Sequence, residues 1–312
     1  MTKILFRPSE LSNIMASAQG KSNREKYSDL ADRLSKYSTE YAELKNLETK
    51  KARDLSEMIN KVEGQMKDLF PMKDLPHLSE GTKTHLRKKM IEIRYARYKD
   101  IETKYMTKGK DCEEQAITVY SLIKGRIFEN NKERIKNDYL SGEIDLPWRN
   151  KAKEVIKITD IKNSYDVFTF FDNKDKIKGA NKWQGVGYMD LYPKCEEYAI
   201  ANVLVNNTAD AILTILHRES YKWKDGDTPA WRELQLIKEH IYTKDAFEEF
   251  VNLRGIGPVC EKSKKVYDSF VEIPMEERLI EHTFQRDESD IQKIRTRIDE
   301  CRIYLEMIYG LK

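Results

Sequence analysis

Cysteine is scarce and scattered. Cys112, Cys195, Cys260 and Cys301 lie far apart in the 312-residue chain. That excludes a zinc or iron–sulfur site built from neighbouring cysteines, and a disulfide framework. The histidines, His77, His85, His217, His240 and His282, form no close pair and are given no ligand role. No apolar run approaches the about 18 residues of a membrane helix, and MTKILFRPSE opens with only three consecutive apolar residues. Neither a membrane span nor a signal peptide is expected; a cytoplasmic protein is. Charge of one sign is also lacking. Lys and Arg number 56 and Asp and Glu 53, a net +3, so whole-chain charge names no partner. There is no internal repeat.

What is present is charge in bulk, 35% of residues, beside 39% hydrophobic residues. The first calls for long solvated helices, the second for a real core, and the length suits one large domain or a domain with an appendage. Residues 5–20 read as a turn and short helix. Over 21–70 the apolar residues keep a heptad: Tyr27, Leu34, Tyr41, Leu55, Val62 and Leu69 on one position, Leu30, Tyr37, Leu44 and Met58 on the other, with Glu48 and Lys51 interrupting the seam. This predicts one long amphipathic helix, an arm of a coiled-coil hairpin. Pro71 and Pro76 break it, and 80–108 reads as a second arm folding back.

The pattern changes near Gly109. Residues 111–128 read as helix, 139–146 and 154–162 as paired strands, VFTFF (167–171) as a third strand. Residues 180–191 follow as helix and 198–206 as a fourth strand. Helices fill most of 208–272, SFVEIP adds a short strand, and 287–309 is a last helix.

The segment SGEIDLPWRNKAKEVIKITDIKNS (141–164) carries the chemistry. Asp160 and Lys162, two apart on a strand, share a face, and Val155 and Ile161 take the other parity. If the two strands form a hairpin, Asp145 approaches Asp160. Two such carboxylates repel unless a cation sits between them. Oxygen donors suit a hard divalent ion, Mg²⁺ above all, and an adjacent lysine suits metal-assisted phosphodiester hydrolysis. The D/E-x-K pattern itself is common here: Glu43/Lys45, Glu48/Lys50, Glu102/Lys104 and Asp172/Lys174 all match. Only 160–162 joins an apolar strand to an upstream Gly-x-x-Asp. Trp148 and Arg149 fall in the expected hairpin turn. Glu113 opens a helix just before the strands, and Gln184 and Tyr188 share a helix face one turn apart.

Taken in order, Gly109–Glu113 (G-x-x-x-E), Gly142–Asp145 (G-x-x-D), Asp160–Lys162 (D-x-K) and Gln184–Tyr188 (Q-x-x-x-Y), after an opening FRPSELSNIM, resemble the PD-(D/E)XK nuclease superfamily, in its phage lambda-type exonuclease and YqaJ-like viral recombinase branch. Ile144 stands where the family name has Pro, and Asp160 where Glu is commoner. The resemblance implies an α/β, restriction-endonuclease-like core, a central mixed sheet flanked by helices, with residues 1–20 and 109–312 forming it and 21–108 an inserted helical arm. It implies that Asp145, Asp160 and the Ile161 carbonyl bind Mg²⁺, with Mn²⁺ substituting, and that Glu113 holds a second ion or its water. Lys162 activates the nucleophilic water, Gln184 and Tyr188 support the site, and Ser9 with Arg7 contacts a terminal 5′ phosphate. The implied activity is 5′ to 3′ exonuclease action on duplex DNA ends in phage recombination, with a single-strand annealing partner and a ring-shaped homo-oligomer in view. An endonuclease on the same core and a catalytically inactive DNA-binding scaffold remain open.

Two further stretches point to nucleic acid. Residues 81–110 hold ten Lys and Arg against three Asp and Glu. Within them Arg94, Arg97 and Lys99 alternate with Tyr95, Tyr98 and Tyr105, charge and rings that suit DNA; a solvated helix face reads equally from the same residues. LRGIGP (253–258) is similar to a helix-hairpin-helix turn, or is a plain Gly/Pro helix stop.

Overall fold

The structure, a computed structural model, describes residues 3–99, 111–175, 179–224 and 228–311. In chain order its main elements are α1 (Leu11–Ile14), α2 (Asn23–Ala42), α3 (Lys50–Leu69), α4 (Glu80–Tyr95), α5 (Glu113–Lys124), β1 (Arg134–Lys136), β2 (Ser141–Glu143), β3 (Leu146–Arg149) and β4 (Val155–Asn163). Then come α6 (Val167–Asp172), α7 (Gly179–Leu191), β5 (Glu197–Val203), α8 (Ala209–Ser220), α9 (Ala230–His240), α10 (Lys244–Arg254), α11 (Glu261–Asp268), β6 (Leu279–Gln285) and α12 (Glu288–Tyr309). The chain divides into two compact units. One comprises Met1–Phe6, Glu10–Tyr98 and Gln292–Lys312; the other comprises Arg7–Ser9 and Lys99–Ile291.

In the first unit, local chemistry starts each long helix. Ser22 accepts the Glu25 N–H while the Glu25 carboxylate accepts the Ser22 N–H, a complete capping box for α2. Thr49 and Ser79 cap α3 and α4 in the same sense. The predicted single helix over 21–70 is two helices. The chain turns between Ala42 and Lys50, across the break in the seam at Glu48, with the Asn46 side chain accepting the Glu48 N–H. The hairpin thus closes within 23–69, its base fixed by Asn23 Nδ2 donating to the Met72 carbonyl at 2.9 Å. Helix α4 is not its second arm. It buries Leu86 and Thr82, and Thr82 donates to the Asn13 carbonyl of α1. It ends at Tyr95, where Ala96 turns left-handed at φ 48°; the rest of the predicted helix, 100–108, lies outside the described residues. Ile294, Ile298, Cys301 and Leu305 of α12 are buried, and Arg302 donates to the Ile4 carbonyl.

The second unit is built on a mixed sheet, β3-β4-β5-β6, flanked by helices. β3 and β4 pair antiparallel with Leu146 opposite Thr159. β4 and β5 are parallel with Asp160 beside Ile200, and β5 and β6 are antiparallel. The alternation of β4 sorts its side chains. Ile161 joins Leu146, Ala201 and Val203 in a core covered by Ile117 and Tyr120 of α5, while Asp160 and Lys162 share the other parity, toward α7. A satellite core of Ile212, Leu216, Leu234, Ile237, Phe247 and Val251 holds α8 to α10 together.

Four predicted elements are corrected. The strand over 139–146 is split: β2 pairs with β1, and only β3 enters the sheet. Trp148 and Arg149 therefore lie on β3, not in the turn, and the Trp148 indole N–H donates to Thr159 on β4. VFTFF is helix α6, because Asp166 accepts the Thr169 N–H as an N-cap and Phe170 packs with Leu204 and Tyr242. Capping and packing override β propensity here. SFVEIP is not a strand, and the edge strand is instead LIEHTFQ, 279–285.

Candidate active site

The β3–β4 hairpin and α7 assemble the site. Asp145 stands at the gap between β2 and β3, so the chain can turn its carboxylate across β4: Asp145 Oδ2 accepts the Ile161 N–H at 2.8 Å. Asp160, 1% exposed, faces α7 from β4. Its Oδ1 accepts from Gln184 Nε2 at 3.2 Å, and Gln184 Nε2 also donates to the Tyr188 hydroxyl at 3.4 Å. Asp160 Oδ2 lies 2.7 Å from Lys162 Nζ. Asp145, Asp160, Lys162, Gln184 and Tyr188 thus lie together.

The electrostatics follow from burial. Desolvation, with repulsion from Asp160 next, pushes the Asp145 carboxyl up to about 7. Burial works against the Lys162 charge, but Asp160 and Asp145 more than offset it and raise the ammonium above its ordinary value. Tyr188 is pushed up to about 12 by burial and then by Asp160, so it stays a neutral phenol.

Glu113, on the first turn of α5, is held by Asn130, whose Nδ2 donates to Glu113 Oε1 at 2.8 Å. Its charge adds to the rise at Asp145. The expected three-acid convergence is not formed. Among the described residues no three His, Cys, Asp or Glu side chains are grouped to hold a metal ion. What the site offers a cation is two neighbouring buried carboxylates, Asp145 and Asp160, beside the Lys162 ammonium. Oxygen donors of this kind fit a hard divalent ion.

Arg7 and Ser9 are exposed on either side of buried Pro8. A Cβ on Gly142 would meet the Pro8 ring at 3.0 Å, so this segment packs three residues from Asp145. Arg94 is committed elsewhere, donating to the Tyr309 carbonyl. Arg97 is exposed in the segment after α4. Gly109, Tyr105 and the basic residues of 100–110 lie outside the described residues.

Sequence reasoning missed three supports. Gly185 lies against β5 and β6 so closely that a Cβ would fall 2.3 Å from the Tyr198 ring and 2.6 Å from Phe284; the glycine directly after Gln184 was the available signal. Tyr198, fully buried under it, has its hydroxyl held neutral by burial and then by the Asp160 charge. Asn131 donates its N–H to the Asp145 carbonyl at 2.9 Å, and nothing in the polar run ENNKE marks it.

Comparison with solved structures bears on the fold. A phage-related exonuclease from Haemophilus somnus 129PT superposes with a TM-score of 0.57 over 99% of this chain and 96% of that one, at 19% identity. The chain has the fold of that exonuclease. An alkaline exonuclease from Laribacter hongkongensis aligns less closely, with a TM-score of 0.43, 11% identity and coverage of 74% of this chain and 84% of that one. No protein-family model matches the chain, and no curated protein sequence does. No helix among the described residues is long and apolar enough to cross a membrane.

Proposed function

We propose that this chain is a divalent-cation-dependent deoxyribonuclease that hydrolyses one strand of duplex DNA from its end, 5′ to 3′. The observation that carries the reading is the pairing of Asp145 with the Asp160–Lys162 strand segment on the mixed sheet. Such a constellation is costly to hold in a fold: two carboxylates repel, and burial raises the proton affinity of one of them to near neutrality. An inactive scaffold has no use for it.

Asp145, Asp160 and the Ile161 carbonyl would hold Mg²⁺ or Mn²⁺, with Glu113 contributing through a water or a second ion. The bound ion supplies Lewis acidity toward the phosphate and a more acidic water. The protein's own groups do the rest. Lys162, an ammonium, donates N–H groups and positive charge toward the charge that develops on the phosphate. Gln184 fixes Asp160 and donates to the Tyr188 hydroxyl, and Tyr188, a neutral phenol, would donate its own O–H to a phosphate oxygen. Arg7 and Ser9 would take a terminal 5′ phosphate, and Arg97 the duplex flank. A single strand produced in this way would serve a single-strand annealing partner, and a ring-shaped homo-oligomer would keep the enzyme on its track.

The test is incubation of the protein with end-labelled linear duplex and with covalently closed circles, with and without Mg²⁺. Cation-dependent release of label from linear DNA alone is expected. Rapid cutting of closed circles makes the protein an endonuclease, and no cleavage of either substrate refutes the reading.

A further inference from the structure

We infer that Asn130 and Asn131 are the positioning residues that set Glu113 and Asp145 relative to one another. The inference rests on the reading of those two acids as cation ligands. Glu113 begins a helix and Asp145 sits in a gap between strands, so neither element's own ladder relates one acid to the other. The loop between α5 and β1 does. Asn130 Nδ2 donates to Glu113 Oε1 at 2.8 Å. The next residue, Asn131, donates its N–H to the Asp145 carbonyl at 2.9 Å, and its side-chain amide donates to the Ile144 carbonyl at 3.1 Å and to the Glu133 carbonyl at 3.1 Å. Consecutive Cα atoms are about 3.8 Å apart, so the side chain of one acid and the backbone of the other are tied within one residue's length.

The residue type matters as much as the place. Both partners of the Asn131 amide are carbonyls and the partner of Asn130 is a carboxylate, so a donor is required at each position. Aspartate has none. Lysine or arginine would donate, but would also neutralise Glu113 and compete with a cation. The neutral amide orients one oxygen of Glu113 and leaves its charge and Oε2 for another partner. Supports of this kind usually matter about as much as the groups they hold: their loss costs roughly 10–100-fold in metal affinity.

Asn130→Ala and the parent are compared by calorimetric titration of the DNA-free protein with Mn²⁺, and by the Mn²⁺ concentration that gives half-maximal cleavage of linear duplex. Both midpoints are expected to rise roughly 10–100-fold in the variant. In a Glu113→Gln background the same change is expected to cost no more than about twofold, because the acid it orients has lost its charge. Should Asn130→Ala not fold, Asn130→Ser, whose hydroxyl is too short to reach Glu113, takes its place with the same expectation. Parental midpoints in the variant, or an undiminished loss in the Glu113→Gln background, overturn the inference. A parent that neither takes up Mn²⁺ nor cleaves DNA overturns the nuclease reading and this inference with it; a parent that does both beside an indifferent variant overturns this inference alone.

Discussion

Gly185→Ala separates the packing of the site from its chemistry. The added Cβ would lie 2.3 and 2.5 Å from ring carbons of Tyr198 and 2.6 Å from Phe284, against the about 3.5 Å of ordinary carbon contact. Tyr198 is fully buried on β5 and packs on Phe284 with ring centroids 5.1 Å apart, so the ring has nowhere to swing. Helix α7 must lift by roughly 1 Å. Overpacking costs about 1–3 kcal/mol, partly offset by the about 1 kcal/mol that alanine gains over glycine in a helix, so the net loss of stability is at most about 2 kcal/mol. The functional loss is larger. The Gln184–Asp160 hydrogen bond, at 3.2 Å, does not survive such a lift, and a displacement of about 1 Å at reacting groups costs on the order of 100-fold. The assay is turnover of linear duplex at saturating DNA and cation, with urea unfolding alongside. Gly64→Ala in α3 is the control: nothing lies within 4 Å of its Cβ, so the same substitution there should stabilise by about 1 kcal/mol. A Gly185→Ala protein with parental turnover and stability would refute the argument.

Asp145→Asn should change the pH dependence of stability. With its carboxyl pushed up to about 7, the folded protein binds more protons than the unfolded chain between about pH 4 and 7, so stability falls as pH rises through that window. In EDTA the variant should match the parent near pH 4 and exceed it above pH 7 by on the order of a few kcal/mol; parallel denaturation profiles would contradict this. Lys162→Ala should lower turnover about 10²–10³-fold with DNA affinity little changed, and a variant that binds weakly but turns over normally would make Lys162 a plain phosphate contact. Because Asn23 closes on Met72, a short Gly/Ser linker can replace 24–71. The shortened protein should keep cation-dependent cleavage yet digest less DNA per encounter, and unchanged processivity would remove the hairpin from DNA handling.

The acids and the lysine were legible in the sequence because strand alternation is local: residues 160 and 162 share a face whatever surrounds them. Heptad spacing likewise foretold amphipathic helix over 21–70, but not that it is two helices, which pair with each other rather than with 80–108. Local pattern failed where neighbours decide. VFTFF has strand composition, but one capping carboxylate and a buried Phe170 make it helix. LIEHTFQ lacks a clean alternation and becomes a strand because β5 offers it a ladder. Only the tertiary structure brought Asp145 across β4, chose Gly185 as the point where α7 touches the sheet, and gave Asn130 and Asn131 their partners, because each of these depends on groups far apart in the chain whose approach no periodicity records.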